Sequence, residues 1–155
     1  MRRLILLAGL FCILGAAVSA TAHAAQSRVI KVLPFFLDTN GVHSLSPSLY
    51  ERDAYQAFLR WHPENRGGLR VDVEWHVNRE ATQPKLRLEL RGVAHAGAPA
   101  LVTLEAPIKG GGWFEHWTTF KPSPAQYQAL GEITAWHATL WDGDKLLGEQ
   151  KSFLW

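Results

Sequence analysis

The sequence predicts a mainly β fold: a two-sheet antiparallel sandwich of about seven strands, with one inserted α-helix (about 47–61) between strands one and two. Three observations predict it. From Leu69 to Asn78 the chain alternates without a break. Leu69, Val71, Val73, Trp75 and Val77 fall on one side, and Arg70, Asp72, Glu74, His76 and Asn78 on the other, which is the period of a half-buried strand. Lys85 to Arg91 repeats that alternation. After the helix, turn residues recur every 8–15 positions, the punctuation of a sandwich. A strand with one dry face needs a second layer to cover it.

Ahead of this domain lies a leader. Arg2 and Arg3 precede an uncharged apolar run from Leu4 to Val18, and small residues follow up to Ala22-His23-Ala24. That three-part pattern predicts a signal peptide over 1–24, cleaved after Ala24 or, as second choice, after Ala20. The alternative, an uncleaved anchor, asks for an apolar run of about 20 residues. Cys12 sits within the run behind bulky Leu10-Phe11, which disfavours a lipid-modified cysteine. The chain has 155 residues, so 25–155 makes one domain, exported to a periplasmic or extracellular space, with no membrane span once the leader is removed.

Removing 1–24 changes the charge. Lys and Arg total 16, and Asp and Glu 14. Arg2 and Arg3 leave with the leader, so 14 faces 14, and no basic block remains to point to nucleic acid. Cys12 and Met1 also leave. A domain without cysteine forms no disulfide, thiolate metal site or Cys nucleophile.

Within the domain, Val29 to Leu37 predicts a first strand. Pro34 lacks a ladder donor, which places that strand at a sheet edge or a bend. Asp38-Thr39-Asn40-Gly41 predicts a turn. Ser46 or Ser48 caps the helix: the first sets Pro47 at its first position, the second sets Glu51 three residues on. Tyr50, Ala54, Ala57, Phe58 and Trp61 recur at helical spacing, and this stripe is expected to pack on the core, plugging one end or face of the sheets. A helix displayed to a partner is the alternative. His62-Pro63 ends the helix and 65–68 loops back.

Leu69–Asn78 and Lys85–Arg91 either form a hairpin, with Glu74 facing Arg87, or cross between sheets. Further strands are expected at Leu101–Ala106, Trp113–Phe120, Ile133–Asp142 and Leu146–Trp155. Ala125–Gly131 suits a single helical turn, and Asp142-Gly143-Asp144 a hairpin turn. This pattern resembles immunoglobulin-like and fibronectin type III-like sandwiches. Trp75 stands in the second strand, where that resemblance implies a core tryptophan, and Leu130 precedes Trp136 by six. The inserted helix and the missing cysteine pair depart from the pattern. Such sandwiches carry many unrelated functions, so the resemblance implies no activity.

The chemistry-bearing patterns are few. Gly110-Gly111-Gly112 has no Lys-Ser/Thr after it and reads as a turn, not a phosphate loop. His43, His62, His76, His95, His116 and His137 show no metal-ligand spacing. No serine occupies a Gly-x-Ser-x-Gly elbow. Asp72/Glu74 and Asp142/Asp144 are expected on an exposed strand face and in a turn, not converging in a cleft. A C-terminal aromatic and room for eight strands also suit an outer-membrane barrel, but the helix and the outward charges Arg87, Glu89 and Arg91 oppose it.

Tryptophan is the anomaly, at seven in the chain. Trp61 and Trp75 are expected in the core. Trp113, Glu115 and Trp117 share one strand face, and Phe114, His116 and Phe120 the other. If the first face is exposed, its Trp-acid-Trp ladder suits sugar rings or a protein partner. The alternative is that both faces are buried. The expected function is a non-enzymatic binding or assembly module for a protein or glycan, with Trp113, Glu115 and Trp117 as its surface and no cofactor. The rival is a small metal-binding or hydrolytic protein using His116, His137 and nearby acids, with His76 as a further candidate.

Overall fold

The computed structural model describes residues 26–94, 97–109 and 114–155. The expected leader 1–24, His95, the triple glycine 110–112 and Trp113 lie outside them. Among the described residues, seven strands form two antiparallel sheets: β1 (Arg28–Asp38), β2 (Arg66–His76) and β5 (His116–Phe120) in the order β1-β2-β5, and β3 (Pro84–Val93), β4 (Pro99–Pro107), β6 (Glu132–Asp142) and β7 (Lys145–Lys151) in the order β4-β3-β6-β7. Helix α1 (Leu49–Trp61) lies between β1 and β2, and α2 (Pro124–Leu130) between β5 and β6. The β-sandwich expected from the alternation is what forms, as two separate sheets and not one closed barrel.

The core lies between the inner faces. Val32, Val71, Val73 and Trp75 from the first sheet meet Leu86, Leu88, Leu90 and Leu140 from the second, with Leu130 of α2 at one end. Burying each of these aliphatic side chains contributes roughly 1.5–3 kcal/mol. Trp75 is 4% exposed, and its indole N–H donates to Thr118 Oγ1 at 2.9 Å, so its one polar atom is satisfied. Pro34 lies in β1, an edge strand, where its missing donor costs no ladder bond.

β2 and β3 cross from one sheet to the other. Glu74 therefore does not face Arg87, whose guanidinium instead pairs with Glu105 on β4 at 2.7 Å. The expected loop at 65–68 is shorter, because β2 already begins at Arg66. Gly67 permits this: a Cβ there would stand 2.4 Å from the Asp38 carbonyl, so only glycine lets the two strands approach. β2 ends at His76 rather than Asn78. β4 runs longer than expected, and the described part of β5 starts only at His116. The helical turn near 125–131 is α2, closed by a capping box in which Ser123 and Gln126 bond each other's backbone. The last strand stops at Lys151. The chain then turns, with the Trp155 N–H donating to the Ser152 carbonyl at 3.2 Å.

The helix carries the main correction. It starts at Leu49, capped by Ser48, whose hydroxyl accepts from the Glu51 N–H. The apolar stripe points outward: Tyr50 is 83% and Trp61 81% exposed, and Phe58 is exposed as well. Gln56 and Leu59 are the buried residues. The physical reason is the edge of β1, where the Phe36 main chain needs hydrogen-bond partners more than it needs an aromatic ring. Gln56 Oε1 accepts from the Phe36 N–H at 2.9 Å, and Gln56 Nε2 donates to the Phe36 carbonyl at 2.9 Å and the His43 carbonyl at 2.8 Å. Tyr55 adds a hydroxyl bond to Asp38 at 2.8 Å.

Candidate functional site

The outer face of the three-stranded sheet follows from register. Leu33 pairs with Asp72 and Phe35 with Arg70 across β1 and β2, while Asp72 pairs with Thr119 and Glu74 with Trp117 across β2 and β5. Alternation turns these side chains away from the core. His43 and Arg52, from the turn region and α1, lean over the same face. Together Leu33, Phe35, His43, Arg52, Arg70, Asp72, Trp117 and Thr119 line an open hollow of about 310 Å³.

The floor of the hollow is polar and tied down. Arg70 reaches two residues along its own strand to grip Asp72 with both ends of the fork, Nε to Oδ1 at 2.8 Å and Nη2 to Oδ2 at 2.8 Å. Thr119 donates its hydroxyl to Asp72 Oδ1 at 2.7 Å. Asp72, expected on a solvated strand face, is instead buried at 9% exposure, because this pairing lets a carboxylate leave water. Arg52 lies 5.6 Å from the Phe35 ring centroid and pairs with Asp53. The His43 imidazole, 5.4 Å from Phe35, is pushed below its usual pKa by burial first and by the positive charge of Arg70 second. Charge close by is thus held in place, and Trp117 is the large half-open ring at the rim, 49% exposed.

Of the expected ladder, Glu115 and Trp117 are both exposed, and Glu115 pairs loosely with Arg28 at 3.6 Å. Trp113 lies outside the described residues. Within the described part of the strand, the exposed-face reading holds for these two side chains. On the opposite face only Phe120 is buried, while Phe114 and His116 are exposed.

The three candidate histidines do not meet. His76 is buried on β2. His116 stacks on Trp75 with 5.0 Å between centroids, at the start of β5. His137 is on the outer face of the other sheet, between Glu89 at 3.3 Å and Glu149 at 2.9 Å. Among the described residues no group of three or more His, Cys, Asp or Glu is placed to hold a metal ion.

Two features of the site escape the sequence reading. Arg70 and Asp72 look there like no more than the polar side of a strand, although an Arg-x-Asp pair at i, i+2 on one strand face is within forked reach. The aromatic stripe of α1 is visible in the sequence, but its outward direction is not. No helix among the described residues is long and apolar enough to cross a membrane. Comparison with known proteins finds no matching family model, no matching curated protein and no matching solved structure.

Proposed function

We propose that this chain is an exported, non-enzymatic β-sandwich module that binds a glycan on the outer face of β1-β2-β5. The observation that carries the reading is Trp117: a half-exposed indole at the rim of a hollow whose floor is the immobilised Arg70–Asp72–Thr119 set. A sugar ring offers an apolar face for the indole and hydroxyls for a fixed carboxylate and guanidinium. Rigid polar partners lose little entropy on binding, which favours this set over mobile surface charges. Asp72 is already engaged by three bonds, which fix it in place to orient a ligand hydroxyl. The strand order supports the resemblance to immunoglobulin-like and fibronectin type III-like sandwiches, and the leader pattern supports export.

The test is binding to an array of soluble oligosaccharides with neutral hexose, N-acetylhexosamine and uronic-acid units. The reading expects capture of one class, lost in Trp117→Ala and in Asp72→Asn. Absence of capture on the whole array, with retention by a protein partner through the same Trp117, would replace the glycan with that protein.

A further inference from the structure

Helix α1 buries Gln56 and Leu59 against the sandwich and turns its aromatic side to solvent, which reverses the usual orientation of an amphipathic helix. An exposed apolar stripe of this kind marks a surface that another surface covers. The pattern of the stripe says which one. Exposed Phe58 lies to one side of the stripe, on the flank away from Asp53 and Arg60, and the central line along α1 reads Tyr50, Ala54, Ala57, Trp61: aromatic, small, small, aromatic. The spacings of these four are four, three and four, so the central line is the same in both directions.

We infer that a second copy of this chain covers the stripe, the two α1 helices packing antiparallel about a two-fold axis between Ala54 and Ala57. Reversal about that midpoint sets Tyr50 opposite Trp61 of the partner subunit, and Ala54 opposite the partner's Ala57. The two alanines leave room for close approach, at the ~8–10 Å between axes that packed helices adopt. Tyr50 and Trp61 lie about 16 Å apart along the helix at 1.5 Å per residue, so two aromatic pairs bracket the small centre.

Charge agrees with the same register. Asp53 and Arg60 lie seven residues apart, hence on one flank of the stripe. Asp53 Oδ1 is held by Arg52 of its own chain, but the side chain is 70% exposed, and Arg60 is exposed as well. The two-fold keeps that flank in register with itself and reverses its direction. Asp53 then falls within one turn of Arg60 of the partner subunit, and the pair occurs twice. A patch complementary to itself is what an isologous dimer requires. A foreign partner would give no reason for the palindrome. Leu45 and Leu49, both exposed before and at the helix start, extend the apolar area.

Sedimentation of the purified chain tests this. The wild type is expected to be dimeric, and Trp61→Ala to raise the dissociation constant tenfold or more, as for a central aromatic anchor. Asp53→Arg alone and Arg60→Asp alone each set like charges together twice and weaken the dimer. Mixing the two variants restores two opposite-charge pairs and should return a mixed dimer. These are exposed positions, so circular dichroism and thermal midpoints of the variants serve as the folding control. A wild type that stays monomeric at about 100 µM, a concentration covering dissociation constants up to that range, overturns the inference. Two weakened variants that fail to rescue each other overturn the antiparallel register.

Discussion

The Gln56 side-chain amide pairs both ways with the main chain of Phe36, accepting from its N–H and donating to its carbonyl, each at 2.9 Å. A side chain thus does for edge strand β1 what another strand would do. Gln56 is only 8% exposed, so removing it strands a donor and two carbonyls at a site with little water. Gln56→Ala is expected to cost about 2–3 kcal/mol, since each unmet buried group costs about 1–3 kcal/mol. Trp61→Ala, at a concentration where the chain is monomeric, should cost less than about 0.5 kcal/mol. Urea unfolding of both variants checks the contrast. The reverse order would mean that the stripe, not Gln56, holds the helix down.

Thr118→Val is nearly isosteric and removes the acceptor of the Trp75 indole N–H. It leaves that donor unmet in the core, at a cost of about 1–2 kcal/mol. Thermal unfolding reads this as a midpoint lower by roughly 4–8 °C at this size. An unchanged midpoint would show that the bond adds nothing to the packing of the ring.

Trp117→Ala removes a half-exposed ring and should leave stability within about 1 kcal/mol of the wild type, as for surface substitutions. Ligand capture should fall at least tenfold, the loss expected when a stacking ring is removed. Titration calorimetry and a melting curve on the same sample separate the two effects. A midpoint that collapses along with binding would make Trp117 a packing residue.

His43 makes stability depend on pH in a stated direction. Burial and Arg70 hold its folded pKa below the ordinary 6.5. In the window between that depressed value and 6.5 the unfolded chain binds more protons, so stability rises with pH there and is flat above it. Acidification below 6.5 therefore destabilises the fold through this group until the folded pKa is passed. In His43→Phe, which keeps a ring against Phe35, that part of the slope should vanish. Chemical denaturation at a series of pH values, wild type against variant, checks it. Equal slopes below 6.5 would remove His43 from the account.

Period-two stretches make the sandwich legible in the sequence itself, because alternation over Leu69 to Asn78 has only one dry solution. Pro34 announces an edge and Asp142-Gly143-Asp144 a hairpin through local backbone chemistry alone. Pairing is not legible. Whether β2 joins β3 or crosses is decided by the rest of the sheet, and the Glu74–Arg87 match is a local coincidence. The helix misleads for a different reason. Its period shows which side is apolar, while the side that packs is chosen by the main-chain groups of Phe36, invisible to any hydropathy pattern. Trp117 stands out because both faces of its strand are aromatic, and only one such face is needed for the core. Arg70 and Asp72 do not, because a forked ion pair within one strand has the same spelling as two solvated charges.

The most direct test of the proposed binding face is the set of indole N–H resonances of the chain labelled with ¹⁵N-tryptophan, titrated with the oligosaccharide captured on the array. The Trp117 signal, assigned by its loss in Trp117→Phe, is expected to move with saturating concentration dependence while that of buried Trp75 stays in place. A titration that moves Trp141 or Trp155 on the opposite sheet and leaves Trp117 unmoved would contradict the account.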